Sequence, residues 1–286
     1  MTTRGARTAA ATALLLVLAG CARPGADGAD GGPSSASPYG PDDLVLQLSW
    51  TGGFVTPEML AGRLPLVSVY GDGRVISEGP VIAIHPAPAL PNLQVREIGG
   101  SAVQDLVDRA LEAGVGDTTD LGTPPVADLP STRFTVSTGL ETIQREVYAL
   151  TVPEDQQSGL TEEQLAARAE LRAFADELTG LSYETTQPYE FTTLAALVMP
   201  YTPPEEEELA QPDVPWPGPA LPGEPFEPAL GLSCVVAAGE DASAVRTAAR
   251  AANALTPWVA PDGVRWSLTF RPMLPHETGC ADLRTG

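Results

Sequence analysis

The side chains best suited to catalysis are scarce in this sequence, which has 2 histidines among its 286 residues. His276 stands beside Glu277, and an imidazole with a carboxylate is the smallest set capable of general base catalysis. His85 lies far away in the chain, so a metal site built on both histidines would require most of the fold to bring them together. We expect both to be ordinary loop residues. The sequence predicts no catalytic residue, no metal site and no cofactor.

The glycine-containing motifs of common enzymes are also missing. Gly231-Leu232-Ser233-Cys234 lacks the closing glycine of a nucleophile elbow. Gly71-Asp72-Gly73 has no third glycine and opens no predicted helix, so it is not a dinucleotide-binding loop. A hydrolase that uses two carboxylates needs no histidine, but the chain has 37 acidic residues, and we single out no pair because close pairs are inevitable.

The N-terminus has the pattern of an export signal. Arg4 and Arg7 precede a short apolar run over 9–18, which is shorter than a membrane span requires. The run ends in Leu18-Ala19-Gly20-Cys21, which is similar to the lipobox of bacterial lipoproteins. That similarity implies cleavage before Cys21, attachment of a lipid with palmitate-type acyl chains to its sulfur, and retention on the outer face of the cytoplasmic membrane. The alternative is ordinary secretion, with Cys21 present by chance.

The two other cysteines are Cys234 and Cys280. Two cysteines in an oxidising compartment most simply form a disulfide, and we predict that these two are joined. A bridge closing a loop of this length stabilises a fold by on the order of 4 kcal/mol in the chain-entropy picture. The alternative is a pair of free buried thiols.

The charge of the chain excludes one class of partner. Without Arg4 and Arg7 the 16 basic residues fall to 14 against 37 acidic residues, so the formal charge falls from -21 to -23. Such a surface repels nucleic acid and anionic lipid head groups, so membrane attachment must come from the lipid anchor. Cation binding is one use of this acidity. We favour a soluble, mutually repulsive surface instead.

The pattern of apolar residues predicts a mixture of antiparallel strands and helices. Alternation indicates a strand from Leu44 to Trp50, and further short strands are expected over 81–84 and 93–98. Asp72-Gly73 predicts a hairpin with a two-residue loop, in which Val69 pairs with Ile76 and Gly73 has positive φ. A second hairpin is expected around Gly139.

Three helices are predicted from their caps and apolar stripes. Ser101 with Gln104, and Thr161 with Gln164, have the spacing of capping boxes. Val103, Leu106, Val107, Ala110 and Leu111 form the buried stripe expected for the first of these helices. The third helix is the Ala-rich segment around Val245.

The fold class we predict is α+β, with mostly antiparallel strands and three helices. We expect a signal peptide over 1–20, a disordered tether over 21–43 and an α+β domain over 44–199. The 200–228 segment is Pro-rich and acidic and predicts a linker. A small strand–helix–strand module over 229–286 would then contain the disulfide and dock on the first domain.

Four segments carry a resemblance to a known family. They are the turn Gly71-Asp72-Gly73-Arg74, the step Pro88-Ala89-Leu90-Pro91, the stretch Val147-Tyr148-Ala149-Leu150 and the tail Arg271-Pro272-Met273-Leu274-Pro275. In these the chain resembles a family of uncharacterised lipoproteins from actinobacteria. The resemblance implies a place in the cell envelope and no assigned activity.

The sequence therefore favours a lipid-anchored extracytoplasmic protein that binds an envelope protein or a small ligand without catalysis. The alternative is an extracytoplasmic hydrolase that acts on envelope material through carboxylates. A deep pocket with convergent buried acids would favour the enzyme, whereas a flat, smooth surface would favour the binding module.

Overall fold

The computed structural model describes residues 38–183 and 186–285. The signal peptide, Cys21 and most of the predicted tether lie outside the described residues. Residues 38–43, which the sequence placed in the tether, pack against the fold: Tyr39 is buried and its hydroxyl donates to the carbonyl oxygen of Ser137 at 2.9 Å.

The described chain has two antiparallel-rich sheets and four α-helices, which confirms the α+β class. The helices are α1 (Pro57–Gly62), α2 (Gly100–Glu112), α3 (Glu162–Gly180) and α4 (Gly239–Ala249). The short α1 was not predicted. It begins at a proline, which is compatible with a first helical turn, but it is too short to show a periodic apolar stripe.

Sheet one contains the first seven strands, all paired antiparallel in the order β6-β5-β1-β2-β3-β4-β7. The strands are β1 (Leu44–Gly52), β2 (Val67–Tyr70), β3 (Arg74–Glu78), β4 (Leu93–Glu97), β5 (Pro130–Ser137), β6 (Thr142–Tyr148) and β7 (Gln187–Pro188). Helices α2 and α3 cover one face. Leu106 and Phe174 from these helices join Leu46 and Phe134 of the sheet in the largest apolar core.

Sheet two has the order β10-β11-β8-β13-β12-β9. The strands are β8 (Thr193–Pro200), β9 (Val214–Pro215), β10 (Glu224–Glu227), β11 (Leu232–Ala238), β12 (Trp258–Val259) and β13 (Arg265–Pro272). Helix α4 packs on one face around Phe270 and Val245. On the other face Ala61 of α1 packs with the disulfide and with Leu283 of the tail.

Sheet two takes strands from all three segments into which the sequence was divided. β8 comes from 44–199, β9 and β10 come from the Pro-rich 200–228, and the rest come from 229–286. The expected boundary at residue 199 thus falls within β8, which pairs with β11 on one side and β13 on the other. An apolar run indicates a buried strand but carries no information about which strands will flank it.

The hairpin prediction was wrong in register. Val69 pairs with Val75, and Ser68 with Ile76. The loop has three residues, with Gly71 and Asp72 inside a turn closed by the Gly73 amide and the Tyr70 carbonyl at 2.9 Å. Gly73 has φ +91°, as predicted.

The capping predictions had different outcomes. Thr161 caps α3 with the predicted box: its hydroxyl accepts from the Gln164 amide, and the Gln164 side chain accepts from the Thr161 amide. The box predicted at Ser101 does not form, because the N-cap of α2 is Gly99, two residues earlier.

Candidate binding site

An apolar groove with a volume of about 760 Å³ lies where the two sheets approach each other. We call this the apolar groove. It is lined by Met59 and by residues of 78–93, 188–191, 246–254 and 268–270. These segments are the loop between β3 and β4, the connection between β7 and β8, the end of α4 with its following turn, and the middle of β13.

The loop between β3 and β4 forms no strand and makes one wall of the groove. The strand predicted over 81–84 is absent from the described structure, and Val81 and Ile82 are 57% and 65% exposed. Met59, at 57% exposure, also lines the groove. Exposed apolar side chains grouped at a concave surface are typical of a binding site.

The same loop is anchored to the turn that follows α4. The amide of Ala89 donates to the carbonyl of Ala252 at 3.2 Å, and the amide of Ala254 donates to the carbonyl of Ala87 at 2.8 Å. Proline at position 88, between these contacts, has no amide to extend the pairing. The loop is therefore held across the groove by two backbone bonds, while its apolar tip stays exposed.

Charged groups lie around the groove. Arg246 bonds the carboxylate of Glu190 at 2.6 Å and stacks 5.6 Å from the ring centre of Phe191. Arg250, one turn later, is exposed and has no side-chain partner among the described residues. Burial raises the pKa of Glu78 above its usual value. The groove thus offers one paired and one unpaired guanidinium beside a partly desolvated carboxylate.

A second, smaller cavity of about 210 Å³ contains His276. The hydroxyl of Tyr70 and the Nδ1 atom of His276 are 3.0 Å apart and hydrogen-bonded. Desolvation raises the pKa of Tyr70 above its usual range and lowers that of His276, so both are neutral near pH 7.

The acids beside His276 are already engaged. Glu277 pairs with Arg271 at 2.7 Å and accepts from the Leu274 amide at 2.8 Å. Asp282 accepts from the amides of Thr278 and Gly279. These bonds hold the tail in place and give each carboxylate a structural role.

The predicted disulfide is confirmed: Cys234 and Cys280 are bonded, with their Cα atoms 6.1 Å apart. It lies under sheet two, away from the groove lining. His85 is exposed and lines neither cavity. No group of three metal-ligating side chains occurs in the described ranges. None of the helices within 38–183 and 186–285 has the length and apolar character required to cross a membrane.

Sequence reasoning did not find the groove, although two signals for it were present. The apolar run Val81-Ile82-Ala83-Ile84 is followed by prolines at 86, 88 and 91. Apolar residues that prolines keep out of a sheet must find cover elsewhere or stay exposed.

Comparison of the chain with protein-family models, characterised proteins and solved structures found no match.

Proposed function

We propose that this chain is a lipid-anchored extracytoplasmic binding protein that holds a mainly apolar ligand in the groove. The observation that carries the proposal is the groove itself. Its volume, about 760 Å³, lies in the range of sites that enclose small ligands, and its lining combines many apolar side chains with a few charged ones. The envelope location is supported by the export signal and by the lipobox-like ending at Cys21.

Binding of a neutral apolar probe tests the groove. N-phenyl-1-naphthylamine is titrated into the full chain held by its anchor in lipid nanodiscs, and empty nanodiscs supply the background. We expect saturable fluorescence enhancement. Ile82→Asp should weaken binding of the probe by about tenfold or more, which is equivalent to about 1.4 kcal/mol, because it places a charge in an apolar wall.

Leu140→Asp is the matched control, because Leu140 is 98% exposed in the loop of the second hairpin and does not line the groove. It should leave probe binding unchanged. Equal loss in both variants, or no saturable binding to the wild type, would contradict the proposed function.

A further inference from the structure

The hydrogen-bond pattern of β13 shows which of its backbone groups face away from β8. The Met273 amide donates to the Thr193 carbonyl at 3.0 Å, which places that pair among the hydrogen-bonded pairs of the antiparallel ladder. Because bonded and non-bonded pairs alternate, Thr269 and Arg271 also bond β8. Leu268 and Phe270 therefore direct their N–H and C=O groups to the opposite edge.

That opposite edge is covered over only part of its length. β12 is two residues long and pairs with Arg265 and Trp266. Beyond Trp266, no residue in 38–183 or 186–285 provides a backbone or side-chain partner for the N–H and C=O groups of Leu268 and Phe270. Both residues line the groove. An unpaired strand edge thus runs along a mainly apolar groove.

The facing wall cannot complete this edge. The loop between β3 and β4 has prolines at 86, 88 and 91, and its backbone bonds are formed within the loop or with the turn after α4. Proline lacks the amide that a ladder needs, so these three positions cannot extend the sheet at this edge.

The unpaired N–H and C=O groups of this edge favour a peptide ligand over a hydrocarbon ligand. A purely hydrocarbon ligand would cover the N–H and C=O groups of Leu268 and Phe270 without bonding them, at a cost for each buried polar group. A peptide in extended conformation supplies matching groups at every second residue and directs alternate side chains to the apolar walls.

We propose that the ligand of the groove is an extended peptide segment of a partner protein, which adds to β13 as a strand at Leu268 and Phe270. This inference rests on the proposed function and specifies its ligand. The segment needs apolar side chains at alternate positions facing the groove. Main-chain bonds to the edge provide affinity, and the walls formed by Val81, Ile82 and Met59 select the side chains.

Amide exchange of the free protein tests the edge directly. In the full chain in nanodiscs, hydrogen–deuterium exchange at single-residue level should show fast exchange at Leu268 and Phe270. Thr269 and Arg271, bonded to β8, should be protected. Equal protection of all four amides would show that the edge is already occupied and would overturn the proposal.

Peptide binding tests the occupant. The probes are pools of acetylated, amidated peptides of about six residues in which each position in turn is Val, Leu, Phe, Ser, Arg or Glu. We expect pools with alternating apolar residues to bind and to slow exchange at Leu268 and Phe270. Leu140→Asp should bind like the wild type, whereas Ile82→Asp should bind at least about tenfold more weakly.

N-methylation separates strand addition from simple apolar contact. Methylating the alternate amides that face β13 should abolish binding of the selected peptide, and methylating the intervening amides should leave it intact. Equal binding of both methylated forms would overturn strand addition.

The probe result distinguishes failure of the peptide inference from failure of the proposed function. If N-phenyl-1-naphthylamine binds the groove but no peptide pool does, the peptide inference is wrong and the proposed function stands. If neither binds, both are wrong.

Discussion

Arg271 and Glu277 form a buried ion pair, with 2.7 Å between Nη2 and Oε1 and side chains only 3% and 8% exposed. The pair joins the end of β13 to the tail that carries His276 and Cys280. A second carboxylate oxygen of Glu277 accepts from the Leu274 amide, so one side chain fixes the turn at two points.

Removing one partner of this pair should be costly. Glu277→Ala would leave the Arg271 guanidinium buried without its counter-charge, and we expect a loss of about 3–5 kcal/mol in the free energy of unfolding, measured by urea denaturation. The control is Asp213→Ala, which breaks the half-exposed Asp213–Arg265 pair and should cost about 0–1 kcal/mol. Similar losses in the two variants would contradict the buried-pair interpretation.

Replacing Gly73 should have a steric cost in addition to the cost of backbone strain. A Cβ atom at Gly73 would come within 2.1 Å of the Ile98 carbonyl oxygen, whereas one at Gly159, which has φ +86°, would meet nothing within 4 Å. Gly159→Ala should therefore cost about 1–2 kcal/mol, from left-handed strain alone. Gly73→Ala should cost about 1–3 kcal/mol more, because the turn must also shift.

The Asp72→Asn variant tests whether Asp72 has a structural role in the turn or a functional role at the tip of the loop. Its carboxylate accepts from the Arg74 amide at 3.0 Å, a bond that an asparagine can keep. Asp72→Asn should change the melting temperature little, because the ion pair with Arg74 is partly exposed. Substantial unfolding of this variant would refute the turn interpretation.

His276 should make stability depend on pH near neutrality. Desolvation, assisted by Arg271, lowers its pKa in the folded protein, while Glu277 and Asp282 act in the opposite direction. Below about pH 6.5 the unfolded chain therefore binds a proton that the folded protein does not, and the free energy of unfolding falls as the pH falls.

The measurement compares the wild type with His276→Gln by urea denaturation at about pH 7.5 and about pH 5.5. We expect the wild type to lose more stability than the variant over this interval. The carboxyl of Glu146, whose pKa is lowered, loses its contribution at lower pH in both proteins. The pKa of Asp282 is lowered mainly by its hydrogen bonds to Thr278 and Gly279, which both proteins keep. Identical pH dependence would show that His276 is not desolvated.

The proposed anchor makes a prediction about cell fractionation. Cys21→Ala should release the protein into the medium or leave it unprocessed, because the acyl chains are the attachment that we propose. Persistence of this variant in the membrane fraction after a high-salt wash would refute lipid anchoring. Glu205→Ala, in the acidic run before β9, is a control that should remain membrane-bound.

Local signals predicted local structure well. The strand at Leu44, the second hairpin, and the capping box at Thr161 all depend on residues close together in sequence. The first hairpin failed because Gly71 precedes Asp72-Gly73, so the chain could choose a three-residue loop. That choice fits the close approach of Gly71 to the Gly40 carbonyl, which only the folded structure reveals.

The groove could not be predicted from local patterns, because it depends on contacts between segments that are far apart in the sequence. Val81 and Ile82 have strand-forming side chains, but the prolines that follow and the tie to Ala252 and Ala254 keep them out of the sheet. The free edge of β13 arises from the shortness of β12, which pairs at only two positions. Neither fact can be read from the residues that line the site.

β8 precedes both of its partner strands in the chain, so sheet two can be completed only late in synthesis. Ala195 and Leu197 are fully enclosed only when β11 and β13 lie on either side, and those strands are made 32 or more residues later, beginning at Leu232. Until then both edges of β8 are bare, a condition that invites pairing between chains. A chain that ended within that stretch would keep both edges of β8 unpaired, so we expect it to pair with other chains rather than to form a smaller working protein.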